Sequence, residues 1–374
     1  MKGLEGYDGH GLAVATLGSH SALDICEGAK AGGFPTIVVC ARGRERTYAV
    51  HYKSRKLLGR QVGCVDGVIM VEKMAQVVGV KTVEELRRRN AVFVPHKSLT
   101  AYAGYDAVEK EFDVPLFGNR MLMRAEDRGA AKDQDYLFAK AGLRTPRKFS
   151  SPAEIDSVAI VKAVDERRGY YERAFFLCSN SREYEKRAGE LLEKKTVSKA
   201  GLGKAVIEEF IVGAQVNFNF FASPLTGGIE LLGTDFRRQT NIDGVLRLPA
   251  AEQAQWLAAG GRMTNVEMGH VASTVRESLL EPAFEAGEKF AAACAMEYAP
   301  GIIGPFALQG AIAQVETKEE LVVFDASLRV PGSPGTRFTP YTHGLWGEGV
   351  SVGRRIAMEL KAAVAENRLG DVVT

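Results

Sequence analysis

The first third of the chain alternates short apolar runs with amphipathic stretches, which predicts strands and helices in regular succession. Apolar residues fill Leu12–Leu17, a helical pattern covers Ser21–Ala31, and a second apolar run spans Thr36–Cys40. A charged helical stretch at Val83–Arg89 then leads into a further strand at Ala91–Val94. Strand, helix and strand at this spacing are typical of βαβ units and a parallel sheet. Such sheets bind their ligands beyond the carboxyl ends of the strands.

The pattern changes after Pro146, where strands become more frequent. Helical sequence is predicted from Met121 to Ala141, from Arg182 to Lys195 and at Arg354–Asn367. The later predicted strands are Val158–Ala163, Ala174–Leu177, Val206–Val212, Val216–Ala222 and Ile229–Leu232, followed by Ile312–Val315 paired with Leu321–Phe324. An α/β beginning followed by runs of strands indicates three unequal parts, which we place at residues 1–118, 119–205 and 206–374.

Composition restricts the class of protein. The 374 residues are 46% apolar and 25% charged, as in ordinary globular proteins, and the formal net charge is only +2. This near-neutrality argues against a general nucleic-acid binder. No segment approaches the ~20 apolar residues of a membrane helix, and the first residues lack a signal-peptide core. The five cysteines have no CxxC spacing, which disfavours disulfides and thiolate metal sites. We therefore expect a cytoplasmic protein without nucleic-acid or membrane partners.

Two candidate loops follow predicted strands of the first part. The loop Thr16–Ser21 contains His20, and its small residues and the helix N-terminus behind it favour an anion such as phosphate. The loop Val94–Ser98 ends on Ser98. If both loops cap one parallel sheet, His20 and Ser98 converge on one crevice. The alternative is two unrelated solvated turns.

Oxygen-bearing side chains follow two later apolar runs. Gln309 follows Pro305–Leu308, and Asp325 follows the run that closes at Phe324. Two adjacent strands ending in these oxygens are able to hold Mg²⁺, whose remaining ligands are phosphates and water. The alternative is that both are ordinary polar residues at the ends of strands, without a ligand.

A lysine lies inside another apolar run. Lys162 interrupts Val158–Val164, and a lysine pointing inward is costly unless an anion, such as an ATP phosphate, pairs with it. The alternative is an outward-facing lysine on a half-exposed strand. The segment Glu208–Val212 is typical of a strand leading into a hinge, where backbone groups and a carboxylate hold adenine and ribose. The alternative is a charged strand edge without a function, which has the same sequence pattern.

Taken in order, these motifs resemble the archaeal formate-dependent ligases of purine synthesis, the PurP family within the ATP-grasp superfamily. The resemblance runs nearly end to end. It rests on ATLGSHSAL (Ala15–Leu23), GFPTIVV (Gly33–Val39), VPHKSLTAY (Val94–Tyr102), VPLFGNR (Val114–Arg120), IEEFIVG (Ile207–Gly213), NIDGVLRLPA (Asn241–Ala250), VRESLL (Val275–Leu280), GPFALQ (Gly304–Gln309), ELVVFDASLRV (Glu320–Val330) and GRRIAMELK (Gly353–Lys361).

The resemblance implies both a fold and an activity. The fold is α/β plus α+β, a Rossmann-like pre-ATP-grasp domain followed by a two-lobed ATP-grasp domain. Family members use ATP, Mg²⁺ and formate to formylate the amine of 5-aminoimidazole-4-carboxamide ribonucleotide (AICAR), giving the formamido product (FAICAR), ADP and phosphate. The expected intermediate is formyl phosphate, since a carboxylate is a poor acyl donor until one oxygen becomes phosphate. The resemblance also implies a homo-oligomer.

Matched positions imply roles for individual residues but single out no catalytic residue. His20 and Ser98 would contact the ribonucleotide, as would His270, which aligns with a ribonucleotide-contacting Asn of the family. Lys162 matches the nucleotide-binding lysine, and Gln309 and Asp325 fall on metal-ligand positions. The adenine hinge of the family corresponds here to Glu208, Glu209, Phe210, Ile211 and Val212. A nucleotide-site Glu of the family aligns with Gln239.

This chain departs from the family pattern mainly on the ATP side. The run Val164–Phe176 has one glycine where the family has a glycine-rich loop, and the metal-ligand Glu is Asp325 here. Pro331 replaces an Asp, and Gly332–Thr336 replaces Gly-Gly-Thr-Asn. Two alternatives to the ligase therefore remain. One is a diverged relative that binds a purine-pathway ribonucleotide as a regulatory or partner protein. The other is a ligase that uses a different acid or amine.

Overall fold

The computed structural model describes residues 4–164, 173–238, 242–261, 267–315 and 318–374. The strands, numbered in chain order, are β1 (Ala13–Leu17), β2 (Thr36–Ala41), β3 (Arg55–Leu57), β4 (Arg60–Val62), β5 (Gly67–Val71), β6 (Ala91–Phe93), β7 (Lys148–Phe149), β8 (Ala159–Val164), β9 (Arg173–Cys178), β10 (Val206–Glu209), β11 (Gly213–Ala222), β12 (Ile229–Arg238), β13 (Gly269–Ser273), β14 (Gly304–Val315) and β15 (Lys318–Ser327).

The helices, also in chain order, are α1 (Ala22–Ala31), α2 (Val80–Arg88), α3 (Lys97–Ala103), α4 (Tyr105–Lys110), α5 (Gln134–Lys140), α6 (Ser181–Glu193), α7 (Lys199–Gly203), α8 (Ile242–Val245), α9 (Ala250–Ala258), α10 (Leu280–Glu297), α11 (Pro340–Trp346), α12 (Val352–Ala365) and α13 (Leu369–Val372). No helix in these ranges combines the length and the apolar character needed to cross a membrane.

The chain divides into two compact units. Unit 1 comprises residues 1–143, 216–309 and 325–374, and unit 2 comprises residues 144–215 and 310–324. Unit 2 contains the four-stranded sheet β7-β10-β8-β9. Its buried face is apolar, as the alternation along β8 and β10 requires. The boundaries proposed from the sequence at 118 and 205 remain a prediction.

The predicted parallel sheet is confirmed in unit 1. Its strand order is β5-β2-β1-β6, with β1 parallel to both β2 and β6. Alternate residues of β1 lie in two different apolar clusters, Ala13 and Ala15 in one and Val14 in the other. Both faces are therefore covered, which explains why these strands read as continuous apolar runs. Strand β5 was not predicted from the sequence, because it is an edge strand whose residues are mostly half-exposed.

A second sheet has the order β13-β12-β11-β14-β15, in which β12 is antiparallel to both β11 and β13. Along β11 the sequence alternates Asn217, Phe218, Asn219 and Phe220. The phenylalanines point to one face, where Phe220 stacks on Phe306 of β14 with ring centroids 5.2 Å apart. The asparagines point to the other face, which is therefore polar although it is buried.

Some predicted elements differ from the structure. The helical run expected from Met121 to Ala141 is a 3₁₀ turn at Leu122–Glu126 followed by α5. It is interrupted because Asp133 caps a new helix, its carboxylate accepting from the Tyr136 N–H at 3.0 Å. The strand predicted at Val206–Val212 ends at Glu209, whereas those predicted around Ile229 and Leu321 extend further than expected.

Helix α12 lies near the carboxyl end of the chain and packs against α1 in unit 1. Asp24 of α1 accepts a hydrogen bond from the Gly353 N–H at 2.9 Å. Burial raises the pKa of Asp24 from 3.8 to about 6, although hydrogen bonds from Ser351 and Gly353 act in the opposite direction. The folded protein thus holds this proton more tightly than the unfolded chain does. The free energy of unfolding consequently falls as the pH rises through the window between these two pKa values.

We expect Asp24→Asn to raise the free energy of unfolding at pH 7 by about 2–3 kcal/mol, because asparagine keeps an acceptor oxygen and stays neutral. Near pH 4 the native and variant proteins should have similar stability. Urea denaturation at both pH values measures the difference. Asp113→Asn, at a side chain that is 70% exposed, should show no such pH-dependent gain. Equal stability of native protein and Asp24→Asn at pH 7 would contradict the raised pKa.

Candidate functional site

The two loops predicted to converge do meet in unit 1. His20 adopts a left-handed backbone with φ of 47°, and its ring stacks on that of His96, with centroids 5.2 Å apart and planes 9° apart. The Ser98 hydroxyl donates to that of Ser19 at 3.1 Å. The loops after β1 and β6 therefore form one surface, because the carboxyl ends of adjacent parallel strands lie side by side.

His96 connects the second loop to the first strand. Its Nδ1 accepts from the Ser98 N–H at the start of α3, at 3.3 Å. The hydrogen-bond network assigns the ring proton to Nε2, which donates to the Leu17 carbonyl at 2.8 Å. Burial lowers the pKa of His96 to about 4, and the positive charge of Arg329 contributes in the same direction. His96 is therefore a neutral, structural support for the loop.

A third segment, directly after β15, completes this part of the site. The Ser21 hydroxyl donates to the Pro331 carbonyl at 2.8 Å and lies 2.8 Å from Nδ1 of His20. The network thus makes His20 Nδ1 a donor and leaves Nε2 as an acceptor. Burial, together with the charge of Arg329, lowers the pKa of His20 to about 2. His20 consequently stays neutral across the physiological range.

Arg329 brings a fixed positive charge to this surface. Its partner is Glu126, whose side chain is 5% exposed and lies 3.2 Å from the guanidinium and 2.9 Å from Lys97 Nζ. Burial by itself would raise the pKa of Glu126, but Arg329 and Lys97 outweigh it and lower the pKa. The Nε of Arg329 is the atom that lies 3.2 Å from Glu126, without the geometry of a hydrogen bond. A largely buried cation beside His20 is suited to an anionic ligand.

A polar, buried face of the antiparallel sheet lies in the same unit. Asp235 is 1% exposed and accepts from Asn217 at 2.7 Å, from Asn219 at 2.6 Å and from His270 Nδ1 at 2.6 Å. Ser333 donates to the Asn219 side-chain oxygen at 2.7 Å, which joins this network to the segment after β15. Of these residues, only His270 was predicted from the sequence. The alternation of asparagine and phenylalanine along β11 was the signal that would have identified Asn217 and Asn219.

The two proposed metal ligands lie within strands rather than at their ends. Gln309 of β14 accepts from Arg237 at 3.2 Å and donates to Ser327 at 3.1 Å. Asp325 of β15 accepts from Arg128 at 3.4 Å. Within the described ranges no three His, Cys, Asp or Glu side chains are grouped to hold a metal. One amide and one carboxylate oxygen nevertheless fit Mg²⁺ that arrives with a nucleotide, since phosphates and water supply its other ligands.

In unit 2, Lys162 lies on the face of β8 opposite the apolar cluster that contains Ala159 and Val161, although its side chain is largely buried. It lies on β8 opposite Val206 of β10, so its side chain shares a face with Glu208. The two side chains form an ion pair and are only 14% and 7% exposed. The anion that compensates the buried lysine in this structure is therefore Glu208.

The predicted hinge begins where β10 ends. Glu209 accepts from Arg144 at 2.9 Å and from the Arg147 N–H at 3.1 Å, and these bonds outweigh burial and lower its pKa. Ile211 is half-buried, while Phe210 and Val212 expose 38% and 79% of their surface. Residues 210–212 thus present apolar side chains, whereas the carboxylate of Glu209 is already hydrogen-bonded to Arg144 and to the backbone of Arg147. Gln239 and residues 165–172, which include the altered loop, lie outside the described residues.

Solved structures define the class. The fold is similar to that of biotin carboxylase from Campylobacter jejuni, with a TM-score of 0.57, 11% identity and coverage of 93% of this chain and 70% of that one. It is also similar to N5-carboxyaminoimidazole synthetase from Staphylococcus aureus, with a TM-score of 0.55, 10% identity and coverage of 94% and 77%. At such identities the likeness concerns the fold alone, which is that of ATP-grasp enzymes.

Closer relatives define the family. A 5-formaminoimidazole-4-carboxamide-1-(beta)-D-ribofuranosyl 5'-monophosphate synthetase from Methanopyrus kandleri is 39% identical over 99% of this chain and 97% of its own. One from Methanocaldococcus jannaschii is 37% identical over 98% and 96%. The crystal structure of an IMP biosynthesis protein PurP from Thermococcus kodakaraensis gives a TM-score of 0.66 at 28% identity, covering 96% of this chain and all of that one.

Two families whose descriptions give no function also match. Residues 14–149 match a protein family of unknown function (DUF1246), and residues 183–374 match a domain of unknown function (DUF1297). Together with the full-length relatives, these matches confirm the resemblance found in the sequence. The chain belongs to the PurP family.

Proposed function

We propose that this protein is the ATP- and formate-dependent ligase that formylates AICAR to FAICAR in purine biosynthesis, releasing ADP and phosphate. The observation that carries the proposal is the convergence of His20, Ser98 and Arg329 on one surface of unit 1. This surface offers a cation, the neutral imidazole of His20 and a hydroxyl, which suit a sugar phosphate carrying a polar base. We further propose that the enzyme acts in the cytoplasm and as a homo-oligomer.

The reaction proceeds in two steps. Phosphoryl transfer from ATP to formate yields formyl phosphate, whose carbonyl carbon is then attacked by the AICAR amine. Catalysis consists largely of positioning and charge neutralisation. Lys162 binds the ATP phosphates, and the hinge from Glu208 to Val212 holds the adenosine. Gln239, by its matched position, belongs to the same nucleotide site.

Magnesium belongs to the first step. Gln309 and Asp325 would hold the ion, which when bound neutralises charge on the phosphates. In the structure Arg237 and Arg128 donate to these two oxygens. With Gln309 and Asp325 holding the ion, both arginines would donate to phosphate oxygens instead. His20, Ser98 and His270 contact the ribonucleotide in the second step.

The assay of this proposal is ADP release from Mg-ATP, measured with formate and AICAR together and with each omitted. We expect full turnover only with both. A binding-only relative is the second candidate, because Lys162, Gln309 and Asp325 are all paired with charged protein groups. Absence of turnover, with AICAR binding retained in calorimetry, would establish that candidate. Turnover with another carboxylate or amine instead would identify a ligase of different specificity.

Ser98→Ala tests the placement of the ribonucleotide. We expect the KM for AICAR to rise about 5- to 10-fold, the loss of roughly one hydrogen bond, with the KM for ATP unchanged. Ser150→Ala, at an exposed serine of unit 2, is the matched control and should leave both constants as they are. An unchanged KM for AICAR in Ser98→Ala would place the ribonucleotide elsewhere.

A further inference from the structure

Asp235 and His270 form a buried carboxylate–imidazole pair. The His270 Nδ1 lies 2.6 Å from Asp235 Oδ1, and the two side chains are 9% and 2% exposed. Asp235 is itself held by Asn217 and Asn219, which donate to its two oxygens. Because a carboxylate only accepts, the proton of the neutral ring sits on Nδ1 and the lone pair on Nε2. The pair is therefore oriented as a base whose imidazolium form Asp235 would stabilise.

The free nitrogen of His270 points to the same place as that of His20. A Cβ added at Gly332 would lie 3.1 Å from His270 Nε2 and 3.2 Å from His20 Nε2. The two acceptor nitrogens thus face one small space next to the segment after β15. A ligand presenting N–H groups, such as an aromatic amine beside a carboxamide, satisfies both acceptors.

The two imidazoles differ in what a proton on them would meet. His20 has the Ser21 hydroxyl as its Nδ1 partner and the charge of Arg329 close by, so a proton is disfavoured there. His270 has the carboxylate of Asp235 instead. Of the two, only His270 is built to hold a positive charge for the duration of a reaction.

We propose that His270, oriented by Asp235, is the general base that takes the proton from the AICAR amine as this amine attacks formyl phosphate. The inference rests on the proposed function. The amine nitrogen forms a bond to the formyl carbon, and the bond from that carbon to the phosphate oxygen breaks. The electron pair leaves with inorganic phosphate, while one proton moves from nitrogen to His270 Nε2. The imidazolium then returns this proton to water. An aromatic amine is a weak nucleophile, so removing its proton assists the attack.

The test separates the two half-reactions. Hydroxylamine traps formyl phosphate without needing a base, so formohydroxamate made from ATP and formate reports the first step alone. We expect His270→Asn to form formohydroxamate within about twofold of the native rate, while kcat for FAICAR falls at least about tenfold and the KM for AICAR changes less than threefold. The matched control is His51→Asn, at an exposed histidine that is far from His270 in the sequence. This variant should behave as the native protein.

The pH profile gives a readout that a structural role would not produce. The groups facing His270 are Asp235 and Arg237 of β12, Glu267 at 4.0 Å from Nε2, and His20 across Gly332. The native pH profile of kcat should have an acid limb that His270→Asn lacks. Formohydroxamate absent from the native protein would refute the proposed function itself. Formohydroxamate present, with kcat or the acid limb unchanged in His270→Asn, would overturn only the role of His270.

Discussion

Replacing Gly28 by alanine should lower the free energy of unfolding by at least about 3 kcal/mol, the largest effect on stability that we expect from one methyl group. Helices α1 and α12 approach each other through glycine. A Cβ at Gly28 would lie 2.0 Å from the Gly353 carbonyl carbon and 2.1 Å from the Arg354 nitrogen. These are backbone atoms, which cannot rotate away, so the helices must separate and open the apolar layer between them and the parallel sheet.

The same substitution elsewhere should have the opposite sign. Gly189 lies in α6, and nothing comes within 4 Å of a Cβ added there. Gly189→Ala should therefore raise stability by roughly 0.5–1 kcal/mol through helix propensity and chain entropy. Urea denaturation of the native protein and both variants measures the contrast. If Gly28→Ala lost less than about 1 kcal/mol, the close approach of α1 and α12 would not matter for stability.

Removing the charge of Lys162 should abolish productive ATP binding. Lys162→Met alone would leave Glu208, whose side chain is 7% exposed, without its counter-ion. Such a broken buried pair costs several kcal/mol and would obscure the effect on ATP. The informative comparison is therefore Lys162→Met with Glu208→Gln against Glu208→Gln alone, so that the effect of position 208 cancels.

In that comparison we expect the Kd for Mg-ATP to rise at least about 30-fold, the loss of a charge-assisted contact worth roughly 2 kcal/mol. Isothermal calorimetry and the thermal stabilisation of the protein by Mg-ATP both report this change. AICAR binding, on unit 1, should be unaffected and serves as the control for folding. Equal ATP affinity of the double and single variants would remove Lys162 from the nucleotide site.

The regular elements of unit 1 could be predicted because strands that are buried on both faces consist of continuous apolar residues, which can be recognised in the local sequence. The apolar runs of β1, β2 and β6 and the helical period of α1 gave nearly correct bounds. The meeting of His20 and Ser98 followed from one rule of parallel sheets. By contrast, the run from Met121 to Ala141 looked helical by composition alone, and the cap at Asp133 broke it.

The supporting side chains of the site could not be derived in the same way. Arg329 stood in a quoted motif without a role, because its value depends on Glu126, about 200 residues earlier in the chain. Asp235 is likewise decided by Asn217, Asn219 and His270, which three strands bring together. Alternation along a strand shows that such residues share a face, but not which partners they meet.

The amino-acid sequence by itself determined the family, the α/β plus α+β class, the two substrate loops and the lysine strand, because motifs and hydrophobic period are local properties of the chain. Only the tertiary structure decided which charges neutralise one another. It paired Lys162 with Glu208, gave Gln309 and Asp325 to arginines, and turned His270 into the partner of Asp235. Burial makes an uncompensated charge costly, so these pairings are set by whichever distant segments the fold brings within hydrogen-bonding distance.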